Sequence, residues 1–142
     1  MVSKYFTTKE LVDEEVYSIL GENAIKLIND KLIETIDKSR EILGVPLICN
    51  NWHWGGSRDQ CGYRSCKCTI GADKSFHKEG MAVDLISTTM TAKEMRDKLE
   101  ENKHLLPHPI RIEKWDDNGE IDWLHIDVSE NTYGRKIYFF KA

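Results

Sequence analysis

Between Ile110 and Val128 the chain spells out a β-hairpin. Ile110-Arg111-Ile112-Glu113-Lys114 alternates apolar and charged side chains, the period of a half-buried strand. Asp116-Asp117-Asn118-Gly119 carries the residues of a tight turn. Residues 121–128 then return, with Leu124, Ile126 and Val128 on one face, which sends Trp123, His125 and Asp127 to the other. Such a strand must bury its apolar row against something and leave a histidine on the opposite face.

The rest of the chain supplies that cover. Thr7-Thr8-Lys9-Glu10 has the spacing of a capping box and predicts a helix to about Leu20, ended by Gly21. Apolar residues at Ile25, Ile28, Leu32, Ile36 and Leu43 predict a long amphipathic helix over residues 22–43, closed by Gly44 and Pro46. Leu47 to Asn50 reads as a short strand. Gly80 to Ile86 reads as another, with Ala82, Asp84 and Ile86 on one face. Thr91-Ala92-Lys93-Glu94 is a second capping box opening a helix to about Asn102, Leu105–Pro109 is a loop, and Ile137 to Phe140 a last strand. The expected fold class is α+β: a small antiparallel sheet with helices packed mostly on one face. No repeat or linker divides residues 1–142, so one domain is expected.

With 40% hydrophobic and 31% charged residues, the composition is that of a soluble globular chain. A formal net charge of -4 gives no general pull toward nucleic acid or an anionic membrane. Met1-Val2-Ser3-Lys4-Tyr5-Phe6 lacks the apolar run of a signal peptide, and no stretch has membrane-spanning length. Synthesis in the cytoplasm, without a signal peptide or membrane insertion, is the expectation.

Three residues stand out as metal ligands. His77 precedes the strand that carries Asp84, and His125 lies on the returning strand of the hairpin. Two histidines and an aspartate with an open fourth position are the usual makeup of a catalytic zinc site. Gly80 and Ala82 between the first two are expected to leave room for backbone and metal. His53, His104 and His108 have no partner at such a spacing. Asp122 stands three before His125 and is the candidate general base, but positions i and i+3 of a regular strand face opposite ways, so it needs a bend to reach the site. Glu120 and Glu113 are the alternatives.

The stretch from Asn51 to Ser75 has no sustained period, and its Trp52, Trp54 and Tyr63 either pack on the core or wall a cleft. All four cysteines lie in one 20-residue window: Cys49, Cys61, Cys66 and Cys68. They are candidates for a second metal site, for disulfides formed after release, or for plain packing; Cys66-Lys67-Cys68 is not the usual zinc-knuckle spacing. The H-x-E of His77-Lys78-Glu79 lacks the downstream P-C-x-x-C of zinc deaminases, no H-E-x-x-H occurs, and no cysteine sits in a nucleophile motif.

Ser75-x-His77-x-x-Gly80-x-Ala82-x-Asp84 followed by Trp123-x-His125 resembles the zinc D,D-peptidase family M15. That family includes VanX- and VanY-type peptidases and phage L-alanyl-D-glutamate endopeptidases, and shares its fold with the Hedgehog signalling domain. Cys61-Gly62-Tyr63-Arg64-Ser65 is similar to the family's S-G-Y-R-S segment, with Cys in the first place; Cys66 and Cys68 are outside the pattern. The resemblance covers about residues 47–128. It implies that His77, Asp84 and His125 hold Zn2+, that Asp122 takes the proton from water, and that Arg64 holds the scissile carbonyl oxygen. Ser75, Tyr63 and Trp123 would contact substrate. The activity implied is hydrolysis of a peptide bond in peptidoglycan stem peptides by a monomer, as a D,D-carboxypeptidase or an L-Ala–D-Glu endopeptidase. The protein would act on the bacterial cell wall after release or as part of a phage particle. The alternative is a zinc-containing binding or virion structural module without catalysis.

Overall fold

The computed structural model describes residues 1–65 and 75–141. Four α-helices precede or interleave with four strands: α1 (Thr8–Leu11), α2 (Glu14–Leu20), α3 (Asp30–Leu43), β1 (Ala82–Leu85), α4 (Ala92–Glu101), β2 (Ile110–Asp116), β3 (Gly119–Asp127) and β4 (Ile137–Lys141). None of the described helices is long and apolar enough to cross a membrane.

Both expected capping boxes form. The Thr7 amide donates to Glu10 Oε2 at 2.7 Å, and Glu94 N donates to Thr91 Oγ1 at 3.1 Å. The first helix is nevertheless cut in two. Val12 is extended, and Asp13 starts α2 by accepting from Val16 N at 2.7 Å. A side chain that can cap offers the backbone an exit from the helix, and here it wins over continuation. The same competition divides the expected helix over 22–43. Gly21–Leu27 forms a 3₁₀ stretch, Ile28 is extended, and Asn29 caps α3 through Lys31 N at 2.8 Å. Gly44 ends α3 in the left-handed conformation at φ 71°, as its position predicts.

The sheet runs β1-β3-β2-β4. β3 pairs antiparallel with both β1 and β2, but β4 lies parallel to β2, so the sheet is mixed, not antiparallel throughout. β3 finishes at the end where β2 begins, and a strand laid next along the outer edge of β2 must run in β2's direction. The expected strand at Leu47–Asn50 reduces to a single bridge between Ile48 and Ile86.

One face of the sheet is sealed by helices. Val83, Leu85, Ile110, Ile112, Leu124 and Ile126 are buried together with Leu32, Ile33 and Ile36 of α3 and Met95 and Leu99 of α4. Side chains alternate across a strand, so burying this set turns their neighbours to the other face. The register then lines those neighbours up in rows. Asp84, His125, Glu113 and Phe140 stand abreast across the four strands, and Ala82, Asp127, Arg111 and Tyr138 form the next row.

Candidate metal centre

His77 does not come from a strand. It sits in a turn in which Lys78 N donates to Ser75 O and Met81 N to Phe76 O, immediately before β1. Gly80 closes that turn at φ 70°, where a Cβ would collide with the carbonyl of Leu27. The space left by this glycine is therefore filled by the backbone of the 3₁₀ stretch, and Asn29 N donates to Gly80 O at 2.9 Å. The room expected there for a metal is used for packing; Gly80 fixes the His77 turn against the N-terminal half of the chain.

His77, Asp84 and His125 converge, with one ligand atom from each lying within 4.8 Å of the others. His77 Nε2 is 3.4 Å and His125 Nδ1 2.9 Å from Asp84 Oδ1. Zinc–ligand bonds of about 2.0–2.1 Å in a tetrahedron place ligand atoms roughly 3.3 Å apart, and the two separations to Asp84 Oδ1, 3.4 and 2.9 Å, lie close to that. His77 presents Nε2 to the centre and His125 presents Nδ1. His77 Nδ1 is 3.0 Å from Gly62 O, a contact in which Nδ1–H donates and which turns Nε2 toward Asp84 and the centre. His125 Nε2 is 3.0 Å from Asp127 Oδ2, which leaves Nδ1 for the centre.

Asp127 is itself fixed. Its side chain is fully buried and receives Arg111 Nε at 2.9 Å, Arg111 Nη2 at 3.1 Å and Ser129 Oγ at 2.8 Å. A carboxylate behind a ligating imidazole orients the ring and raises its basicity. Sequence reading placed Asp127 on the site face without giving it this task, and passed over Arg111 and Ser129. Strand parity was the signal for the first two: both share the face of His125.

These contacts set the charges. Burial opposes a charged His125, but its hydrogen bonds to Asp127 and Asp84 outweigh it and raise the ring's pKa to about 9. Burial would raise Asp84, yet its bonds to His125 and His77 hold it far below the usual carboxylate range. Asp127 is lowered in the same way by His125 and Arg111 against the effect of its burial. Without a metal, a proton on His125 Nδ1 thus stands between ring and Asp84 where a cation would stand. The donor set, two imidazole nitrogens and a carboxylate oxygen, suits zinc.

Arg64 is buried beside this group. Its Nη2 lies 3.4 Å from Asp84 Oδ2, its Nε donates to Gln60 O at 2.6 Å, and its amide donates to His77 O at 3.1 Å. Arg64 therefore braces both His77 and Asp84 as well as bringing a guanidinium to the centre. Ser75 lies at the same turn, its Oγ accepting from His77 N at 3.3 Å. Half-buried Tyr63 donates its amide to Leu11 O at 2.8 Å, in the segment that also provides Gly62 O to His77. Trp123 is half-buried on β3.

The carboxylates differ in placement. Glu113 is directly opposite His125 on the site face, yet it is not among the atoms within 4.8 Å of one another. Burial raises its pKa; the charge of His125 opposes this and that of Asp84 adds to it. Asp122 lies where β3 leaves its register: Glu113 pairs with His125 but Trp115 pairs with Glu120, so residues 121–124 face Lys114 alone. The ladder is irregular there, but Asp122 is not among the ligand atoms that gather within 4.8 Å of one another. Asp122 is exposed, forms no hydrogen bond or ion pair among the described residues, and lines a hollow of about 480 Å³ with Ile86 to Ala92 and Met95. That hollow begins two residues beyond Asp84. Glu120 pairs loosely with Lys114 at 3.9 Å on the turn side of the bulge.

Cys49 and Cys61 are free thiols, and burial raises the pKa of both. Neither joins a group of potential ligands among the described residues. Their place is structural: Cys61 O accepts from Asp84 N at 2.7 Å, and Cys61 N donates to the buried Asn50 side chain at 2.9 Å. Cys66 and Cys68 lie outside the described residues. Trp52 donates its indole N–H to Val12 O at 3.0 Å and packs inward, whereas Trp54 is 65% exposed.

Comparison of the chain with protein-family models, curated proteins and solved structures finds no match in any of the three.

Proposed function

We propose that this protein is a zinc-dependent peptidase that hydrolyses a peptide bond in peptidoglycan stem peptides. The observation that carries the reading is the convergence of His77, Asp84 and His125, each held from behind by Gly62 O, Arg64 or Asp127. A structural zinc site closes its fourth position with a protein ligand, and no fourth ligand joins the trio among the described residues. The choice of substrate rests on the resemblance of the Ser75–Asp84 and Trp123–His125 motifs to the D,D-peptidases.

Bound zinc supplies Lewis acidity there, acidifying water and polarising a carbonyl oxygen. His77 Nε2, Asp84 Oδ1 and His125 Nδ1 would hold it. Asp127 and Gly62 O keep the rings turned inward, and the guanidinium of Arg64 offers donors to the carbonyl oxygen under attack. Asp122 takes a proton from water on its carboxylate and passes it to the leaving amine. Its exposed carboxylate at the bulge is free of competing partners among the described residues, which leaves it able to do both.

The test is mass analysis of defined muropeptides incubated with purified, zinc-loaded protein. Loss of terminal D-Ala identifies a carboxypeptidase; separation of L-Ala from D-Glu identifies an endopeptidase. Intact muropeptides that co-purify with the protein sink the catalytic reading and leave a binding module. Asp122→Asn retains zinc and loses turnover about a hundredfold or more. If that loss follows Glu113→Gln instead, the base is Glu113.

A further inference from the structure

Arg96 is the largest side chain buried to less than 2% exposure, and no carboxylate pairs with it among the described residues. Burial accordingly lowers its pKa. A buried guanidinium without an ion partner is costly, and an apolar residue of its length would pack into α4 more cheaply. Its two Nη groups donate to the backbone of β3, while Nε is buried with no partner among the described residues. Nη1 and Nη2 both reach Ile121 O at 3.2 Å, and Nη1 also approaches Trp123 O at 3.4 Å.

Those two carbonyls flank Asp122. They belong to the stretch 121–124 that faces the single residue Lys114, so the usual ladder with β2 is interrupted there. On the other side, the last β1–β3 pair is Leu85 with Leu124, and Ile86 turns to bridge Ile48. A bulged segment outside the regular ladder is less tightly shaped by its neighbours than one within it. Arg96 holds it with a rigid fork anchored in a ten-residue helix.

We infer that Arg96 is a positioning residue: it clamps the carbonyls of Ile121 and Trp123 and thereby fixes where β3 carries the Asp122 carboxylate relative to His125. The functional half of this inference rests on the proposed hydrolysis; the structural half does not. The zinc ligands are independent of the clamp, because Asp84 and His125 are in the regular part of the β1–β3 ladder.

The test compares Arg96→Met, which keeps length and removes every donor, with Arg96→Lys, which keeps one cationic donor group. Both are expected to bind one zinc per chain. In Arg96→Met, amide exchange at Trp123 and Leu124, followed by NMR, accelerates at least tenfold relative to Val83 and Ile112, and Arg96→Lys restores part of the protection. Turnover falls about tenfold or more in kcat with KM nearly unchanged. In an Asp122→Asn background the same Arg96→Met change costs nothing further, because the group it positions is gone. Exchange that speeds up uniformly through the sheet overturns the inference, as do kcat losses that multiply in the double variant. If wild-type protein shows no turnover, the proposed activity fails and the exchange comparison alone decides the clamp. If Arg96→Met does not fold, the same comparisons are made with Arg96→Lys.

Discussion

In the metal-free protein, the proton on His125 stands where a zinc ion would. The ring is held between Asp84 at 2.9 Å and Asp127 at 3.0 Å, and its pKa is raised to about 9. At pH 7 about 99% of a group with that pKa is charged, and displacing its proton costs roughly two pH units, about 3 kcal/mol of apparent zinc affinity. Affinity should therefore climb about tenfold per pH unit between pH 7 and pH 9 and flatten above. The sign for stability is opposite. His125 is raised above its unfolded value, so its contribution is complete below pH 6.5 and is lost as pH rises through about 9. The lowered carboxyls of Asp84 and Asp127 contribute above their unfolded pKa, and that share is lost only as pH falls through their lower folded values. The metal-free fold should thus soften between about pH 6.5 and pH 9, while zinc binding tightens. Nitrogen-15 NMR of the imidazole rings in metal-free protein reads the charge directly, and competition with a chelator reads the affinity. A neutral His125 ring at pH 7.5 would refute the reasoning, as would an affinity already flat between pH 7 and 9.

Two further substitutions probe the supports of the site. Arg111→Met leaves the fully buried Asp127 carboxylate with only Ser129 and His125 as partners, and should cost about 3–5 kcal/mol in urea unfolding; a loss below about 1 kcal/mol would mean that the pair is not stabilising the fold. Gly80→Ala meets both the left-handed φ of 70° and the carbonyl of Leu27, and should lower stability by at least about 1–3 kcal/mol and loosen zinc binding through the His77 turn. An unchanged melting temperature in Gly80→Ala would contradict the close packing there.

Asp84 and His125 were legible because strand parity is local, whereas His77, in a turn, was read from its spacing to Asp84. The row Leu124, Ile126, Val128 fixes the facing of His125 with no knowledge of neighbours. Register is not local, and so the abutment of Arg111 on Asp127 could not be read. It depends on a bulge that sets residues 121–124 against Lys114, and a turn signal at Asp116–Gly119 does not reveal how many residues slip behind it. The helix breaks at Val12 and Ile28 were missed for a different reason. The apolar period continues across both, while Asp13 and Asn29 each offer a cap that ends one helix and begins another, and the sequence does not show which signal is stronger. The parallel course of β4 follows from which sheet edge is vacant, a property of the assembled sheet.

α1 is a single turn, and its shortness matters to the far side of the molecule. A helix that stops at Leu11 leaves its last carbonyls without partners in the helix. Three consecutive ones are taken up: Glu10 O by Asn50 N, Leu11 O by Tyr63 N, and Val12 O by both the Asn50 side chain and the Trp52 indole. The segment so tethered delivers Gly62 O to His77, Cys61 O to Asp84 and the Arg64 guanidinium to the same carboxylate. The first dozen residues act as a jig on which the ligand loop is assembled, although none of them touches the metal position. Trimming the chain to begin after Asp13 would keep all three ligands and the whole sheet, yet it would release the loop that aims two of them.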